Sequence, residues 1–272
     1  MFILRSRHNF TVPVEAECIT CDVFSAKSLE EIRSLLVWEG NRQRRLDKLF
    51  EVEYTGKDKD DETTIKISGD LTKVRRIGHG MTQGKIIIEG NAGSNLGANM
   101  RGGSILVYGN AGSWLGSSMR GGKIEVMGNA GDYVAAPYRG STEGMKRGEI
   151  IIHGDVGNES GNFMRGGFIK IEGNASQFLG IHMRDGTILV NGNSDRRVGA
   201  EMVNGRIIIC GYVSEILPTF AIDDLRPSVK IDSERINGPF YRFVGDLAED
   251  GEGKLFISKP SNPHLSFYEE YL

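Results

Sequence analysis

Cys18 and Cys21, in the stretch CITC, stand at the spacing of half a zinc site or of a redox-active pair. Completing such a site would take a second pair, and the remaining cysteine, Cys210, falls near the other end of the chain. The five histidines, His8, His79, His153, His182 and His264, supply imidazole but no ligand spacing. A Walker loop, a nucleophile elbow and a calcium-binding nonapeptide are all missing from the sequence. What recurs instead is a basic residue after a methionine: Arg101, Arg120, Lys146, Arg165 and Arg184. Stacked like charges repel unless an anion or neighbouring carboxylates lie alongside, and arginine forks suit carboxylate and phosphate alike. Two readings stay open: a solvated corner neutralised by nearby Glu and Asp, or a ladder facing an anionic ligand or partner.

The element that positions this column is a repeat. Glycines closing successive strands fall at Gly69, Gly90, Gly109, Gly128, Gly154, Gly173, Gly192 and Gly211, a period of 19 with two extra residues in the first step and seven in the fourth. Within it recurs the unit G-x-x-M-x-x-G-x-I-x-[IV]-x-G, at 78–90, 97–109, 116–128, 142–154 (with Thr142 for the first glycine), 161–173, 180–192 and 199–211. A 19-residue period is too short for a helical repeat, and segments such as KIIIEG and SILVYG alternate with period two, as strands do. Each coil buries its apolar face only by stacking on the next. The chain is therefore read as all-β, a right-handed parallel β-helix (β-solenoid) over residues 64–211. Ahead of it lies a small N-terminal α/β unit (1–63), and behind it an irregular C-terminal tail (212–272) that caps the rod or grips a partner.

Alternation sorts inside from outside. Ile86, Ile105, Ile124, Ile150, Ile169, Ile188 and Ile207 point inward, as do Ile88, Val107, Val126, Ile152, Ile171, Val190 and Ile209. The methionines from Met81 to Met202 form a third core column, and the glycines with Asn91, Asn110, Asn129, Asn174 and Asn193 are assigned positive-φ turns. The residue between the inward columns points out, yet Ile87, Leu106, Ile151, Leu189 and Ile208 are apolar there, broken by Glu125 and Lys170. Such a stripe is expected to be covered, by the chain's own ends or by another protein. The insertion DYVAAPYRGSTEG (132–144) offers Pro137, Tyr138 and Arg139 as contact residues at a loop tip. In the N-terminal unit, Ser28 and Glu31 form a capping box for an amphipathic helix carrying Ile32, Leu35 and Leu36 and stopped by Gly40. GKDKDDE (56–62) reads as an exposed loop.

Composition bounds the function classes. The 272 residues carry a formal net charge of −3, which argues for no nucleic-acid partner. No apolar run approaches the roughly 18 residues of a membrane span, and no signal peptide is seen. An odd cysteine count without a disulfide framework points to a reducing, cytoplasmic setting.

The repeats and their GNAG corners resemble the C subunit of formylmethanofuran dehydrogenase, over about 78–211 and with fitting flanks. Related glycine-rich β-helices form the C-terminal domain of the glutamate synthase large subunit, and a relative serves a bacterial formyltransferase/hydrolase complex. The resemblance implies a scaffold subunit without a catalytic or metal site of its own. Its neighbours would be pterin-enzyme and amidohydrolase-like subunits carrying tungsten or molybdenum pterin, iron–sulfur clusters and a dinuclear metal site. The complex would reduce CO2 and formylate methanofuran, whose carboxylate-rich tail the basic column could contact. The alternatives are the corresponding subunit of a hydrolytic complex or a stand-alone polyanion-binding module.

Overall fold

A computed structural model describes residues 1–56, 62–231 and 234–272, so the proposed 56–62 loop lies, apart from its end residues, outside the described residues. The N-terminal unit comprises β1 (Phe2–Ser6), β2 (Val14–Glu15), α1 (Cys21–Ser25), α2 (Leu29–Ser34), β3 (Leu36–Glu39), β4 (Arg42–Arg45), α3 (Leu46–Leu49) and β5 (Phe50–Tyr54). The repeat supplies β6 (Thr64–Ser68), β7 (Val74–Arg75), β8 (Lys85–Glu89), β9 (Arg101–Val107), β10 (Arg120–Val126), β11 (Arg147–Ile152), β12 (Arg165–Ile171), β13 (Asp185–Val190) and β14 (Arg206–Ile209). The C-terminal segment adds β15 (Ala221–Ile231), β16 (Glu234–Gly245), β17 (Gly253–Ser258) and two 3-10 helices, Leu247–Glu249 and Pro263–Tyr271.

Strand is the main regular structure, organised around one 13-stranded sheet in the order β15-β16-β17-β14-β13-β12-β11-β10-β9-β8-β6-β1-β5. From β1 to β17 every neighbouring pair is parallel. The inward columns meet in register across layers, Ile105 on Ile124, Ile124 on Ile150 and Ile150 on Ile169, and all are essentially solvent-free. Burying each such side chain contributes roughly 1.5–3 kcal/mol. The first and last rungs come from the flanks: Phe2 and Leu4 lie beside Ile65 and Ile67, and Leu255 and Ile257 beside Ile207 and Ile209. The tail expected to be irregular is thus largely strand. β15 and β16 form an antiparallel hairpin joined to the parallel array through β17. Its alternation is hard to see in the sequence because it does not repeat at 19 residues.

Two local assignments change. The capping box of α2 is present, Ser28 Oγ accepting from Glu31 N and Glu31 Oε2 from Ser28 N. The helix nevertheless ends at Ser34, because Leu36–Glu39 is β-prone and pairs with β2 and β4; Leu36 is exposed, and Gly40 turns the hairpin instead of stopping a helix. Nor do the five corner asparagines take positive φ. The Oδ1 atoms of Asn91, Asn110, Asn129, Asp155, Asn174 and Asn193 each accept the backbone N–H of the next layer, at 2.6–2.9 Å.

Positive φ falls on a column of unlike residues, Arg76, Asn95, Trp114, Tyr133, Glu159, Phe178 and Arg197. Some stack: Trp114 on Tyr133 at 4.6 Å, and Arg197 over Phe178 at 5.0 Å. Two residues on, glycine recurs for a steric reason. Gly116 has φ +61°, and a Cβ there would lie 2.5 Å from Ile150 Cδ1. In the fourth layer this place is held by Ala135 (φ 62°), whose carbonyl accepts from Met145 N, and not by Thr142. Asp132–Ala135 are therefore regular positions, and the extra residues lie between Ala135 and Met145.

On the outer face one side chain ties three layers. His153 Nδ1 lies 2.7 Å from Glu172 Oε2, and Nε2 lies 3.0 Å from Glu125 Oε1. Both ring nitrogens must then donate, which requires the imidazolium. Hydrogen bonding to Glu125 leads in raising the His153 pKa, against desolvation and with Glu172 assisting. Lys170 sits 3.0 Å from Glu172, and Lys123 bridges to Glu149 at 3.2 Å.

Gly116→Val should destabilise the chain by about 2–4 kcal/mol in chemical denaturation, through strain and overpacking, and a loss under about 1 kcal/mol would refute the steric argument. Because the folded-state pKa of His153 is raised, its stabilisation is complete below the unfolded value of roughly 6.5 and is lost as pH rises through the folded value. The melting-temperature gap between wild type and His153→Gln should narrow over that alkaline side; a gap that widens would show the bridge is not an imidazolium.

Candidate functional site

The outward column between the two core columns keeps strict register from Ile87 through Leu106, Glu125, Ile151, Lys170 and Leu189 to Ile208 and Phe256. Its far end is covered by the chain itself. Val229 and Ile231 of β15, with Phe240 of β16, pack on Leu189, Ile208 and Phe256 in a second apolar cluster. Its near end has no such cover among the described residues: Ile87 and Leu106 are half-buried, as is Ile151 farther along between Glu125 and Lys170. Beside them, two positions on, Tyr108 and Met127 are 59% and 43% exposed. The Lys123–Glu125–Glu149–His153–Lys170–Glu172 belt lies across the middle of the face, between the open end and the hairpin-covered end. Tyr108 and Met127 escape sequence reasoning because the residue after the strand shares no type between layers.

The basic column is divided as well. Each of its backbone N–H groups donates to the carbonyl of a core methionine one layer back, Arg120 to Met100 and Arg165 to Met145 among them. Lys146 pairs with Glu143, while Arg165 lies 3.6 Å from Glu143 and donates through Nε to Thr142 O at 3.0 Å. Lys146, then desolvation in the opposite sense, then the charges of Lys146, Arg165 and Arg120 set the Glu143 carboxyl below its ordinary pKa. Arg101, Arg120 and Arg184 are exposed and have no ion pair among the described residues. Arg120 sits in register with Arg147, a cation the repeat pattern does not mark. The neutralised corner thus accounts for two of the five residues.

The insertion does not present all three expected contact residues. Pro137 is buried, because the segment folds back onto the layers. Tyr138 is exposed at its ring but accepts a 3.0 Å hydrogen bond from Arg76 Nη2, and Arg139 is exposed.

No chemistry converges elsewhere among the described residues, where no group of three or more His, Cys, Asp or Glu could hold a metal. Burial raises the thiol of Cys18 to about 11 and that of Cys21 to about 12, so neither is a ready thiolate. Cys21 Sγ faces Lys85 O at 3.5 Å, and Cys210 is also a free thiol raised by burial. His182 stacks on Phe163 and pairs with Glu201 at 3.1 Å, layers away from His79. Among the described residues no helix is long and apolar enough to cross a membrane.

No family model matches the sequence. The C subunit of the tungsten-containing formylmethanofuran dehydrogenase 2 of Methanothermobacter thermautotrophicus is 56% identical over 264 residues, 97% of this chain and 98% of that protein. Its counterpart in the molybdenum-containing formylmethanofuran dehydrogenase 1 of Methanothermobacter marburgensis is 44% identical over 96 residues, 35% of this chain and 23% of its own length. The chain spans only 23–31% of the length of four molybdenum-type relatives. Among solved structures, the formyltransferase/hydrolase complex from Methylorubrum extorquens in complex with methylofuran contains a chain that superposes with a TM-score of 0.83 at 28% identity, covering 94% of this chain and 99% of that one. The full-length match at 56% identity places this chain in the family of formylmethanofuran dehydrogenase C subunits.

Proposed function

We propose that this chain is the scaffold subunit of a formylmethanofuran dehydrogenase complex, a complex that reduces CO2 and formylates methanofuran. The stacked layers are taken as coils of a right-handed parallel β-helix, extended at each end by β1 and β17 and capped by the two flanks, 1–63 and 212–272. The observation that carries the reading is the half-covered outer column: own-chain packing over Leu189 and Ile208, and, among the described residues, half-buried Ile87 and Leu106 beside exposed Tyr108 and Met127. A large apolar stripe left open along a rod marks a site for another protein. The amidohydrolase-like and pterin-enzyme subunits are the proposed neighbours, in the cytoplasm, with no membrane or nucleic-acid contact.

Tungsten or molybdenum pterin, iron–sulfur clusters and a dinuclear metal belong, in this reading, to those neighbours. The thiols here are not gathered to hold such groups: among the described residues no three or more His, Cys, Asp or Glu converge, and Cys21 Sγ faces Lys85 O at 3.5 Å. The full-length match to a tungsten-type dehydrogenase favours this assignment over a hydrolytic complex, whose representative is 28% identical. Arg101, Arg120 and Arg184, left unpaired among the described residues, are proposed to face a carboxylate-bearing partner or the methanofuran tail. Tyr138 and Arg139 are proposed as rim contacts.

Purification through a tag on this chain should recover other subunits together with tungsten or molybdenum; recovery of the chain alone, or of partners with neither metal, would overturn the assignment. Leu106→Asp combined with Tyr108→Asp should cut subunit retention by about tenfold or more while leaving the chain folded by circular dichroism, and full retention would remove the stripe as an interface. Arg101→Gln with Arg120→Gln should weaken methanofuran binding to the complex by about threefold to tenfold at low salt, measured calorimetrically. An unchanged affinity would remove the methanofuran tail as their ligand.

A further inference from the structure

The second sheet runs β4-β3-β2-β7, with β4 at one edge. The register pairs Leu36 with Arg45, Val37 with Arg44, Trp38 with Gln43 and Glu39 with Arg42. One bond, from Leu46 N to Leu35 O at 2.7 Å, marks 35/46 as a hydrogen-bonded pair of that register. Antiparallel pairs alternate, so Arg44 and Arg42 spend their backbone groups on β3. Both backbone groups of Gln43 and the N–H of Arg45 therefore face away from β3, along the open edge, while the Arg45 carbonyl, at the N-cap of α3, starts that helix.

The two edges of the large sheet are blocked. On β5 the Val52 carbonyl accepts from Arg33 Nη2 at 3.0 Å, and β15 is interrupted by Pro227 and lined by Asp223, Asp224, Arg226 and Lys230. Among the described residues no side chain caps an outward carbonyl of β4 and no proline interrupts it, although it carries three arginines. All four of its residues, Arg42, Gln43, Arg44 and Arg45, are exposed. Arg44 is paired with Glu39 and Arg45 with Asp47, and Arg42 has no ion pair among the described residues. Beside the edge, on the face of Gln43 and Arg45, Leu36 and Trp38 are 58% and 48% exposed. They border a hollow with Glu15, Glu17, Cys18 and Arg76, where both glutamates pair with Arg76.

We infer that β4 is an acceptor edge for one extended, acidic segment of another subunit, which adds to the sheet as a fifth strand. The incoming backbone bonds to Gln43 and Arg45, alternate carboxylates face Arg42 and Arg44 or Arg45, and an apolar side chain rests on Trp38 and Leu36. A second copy of this chain is excluded on charge, since it would bring three arginines against three. The inference rests on the complex proposed above and adds the chemistry of one contact.

The test compares amide exchange in the purified complex with that in the isolated full chain, and adds zero-length carbodiimide coupling to Arg42→Lys complex. The N–H groups of Gln43 and Arg45 should exchange slower in the complex by roughly tenfold or more. Lys at 42 should couple to an Asp or Glu of another subunit, and Gln43→Pro, which removes only an outward N–H, should abolish both signals while the complex persists. Equal exchange at 43 and 45, coupling to a second copy, or signals surviving Gln43→Pro would each overturn the proposal. Failure of the wild-type chain to recover any complex would instead overturn the reading on which it rests.

Discussion

Backbone lies directly on backbone throughout this molecule, and that contact dictates the rest. Each layer donates N–H groups to the carbonyls of the layer before, including the glycine-to-glycine bonds Gly109 to Gly90, Gly128 to Gly109 and Gly154 to Gly128 at 2.9–3.0 Å. Ladder spacing of about 4.8 Å leaves no room for a Cβ at the corners where chains cross most closely. Glycine is accordingly demanded by the neighbouring layer as much as by its own turn. Once the layers are fixed, equivalent residues fall into columns, and a column has one chemical environment from end to end. Core isoleucines, core methionines and cross-layer asparagines follow from that rule.

The same rule explains what can be read from sequence. Period 19, the two β-branched columns and the methionines are legible because each repeats a residue type at a fixed place. The positive-φ column is illegible because Arg76, Trp114, Glu159 and Phe178 share a backbone state and nothing else. Non-glycine residues in that state cost of order 1–3 kcal/mol each and persist because packing above and below over-determines them. Thr142 aligns on the wrong side of the insertion because Ala135 hides the glycine position it fills. β15 alternates exposed and half-buried residues along its first eight positions, a plain strand signature, but it occurs once and so lacks the reinforcement repetition gives. For the candidate site, the apolar column is visible in the sequence and its cover is not: that Val229, Ile231 and Phe240 return to it is a long-range fact.

A rod of this kind suits a subunit whose partners must be held at fixed separations. Its outer face is parcelled into an open apolar end, a charged belt and an end closed by its own hairpin. In the proposed complex the hairpin would act as a stop: a neighbour lying on Leu106 and Tyr108 could extend along the stacked layers only as far as the belt and β15–β16 allow. Register between subunits would then be set by this chain's own covalent structure, through where the tail folds back.

The asparagine ladder has a consequence for chemical ageing. Asparagine loses its amide nitrogen slowly in water, and in most positions the resulting aspartate disrupts whatever the amide had bonded. Here Oδ1 receives the next layer's N–H, with Asn174 Nδ2 also donating to Asp155, and a carboxylate oxygen accepts that N–H equally well. Asp155 already occupies a rung of the ladder, accepting from Asn174 N at 2.6 Å. Hydrolysis of the amide to a normal aspartate at Asn110 or Asn129 would therefore leave the rung in place and add only a surface charge, whereas the isoaspartate that also forms through a succinimide lengthens the backbone and would break it.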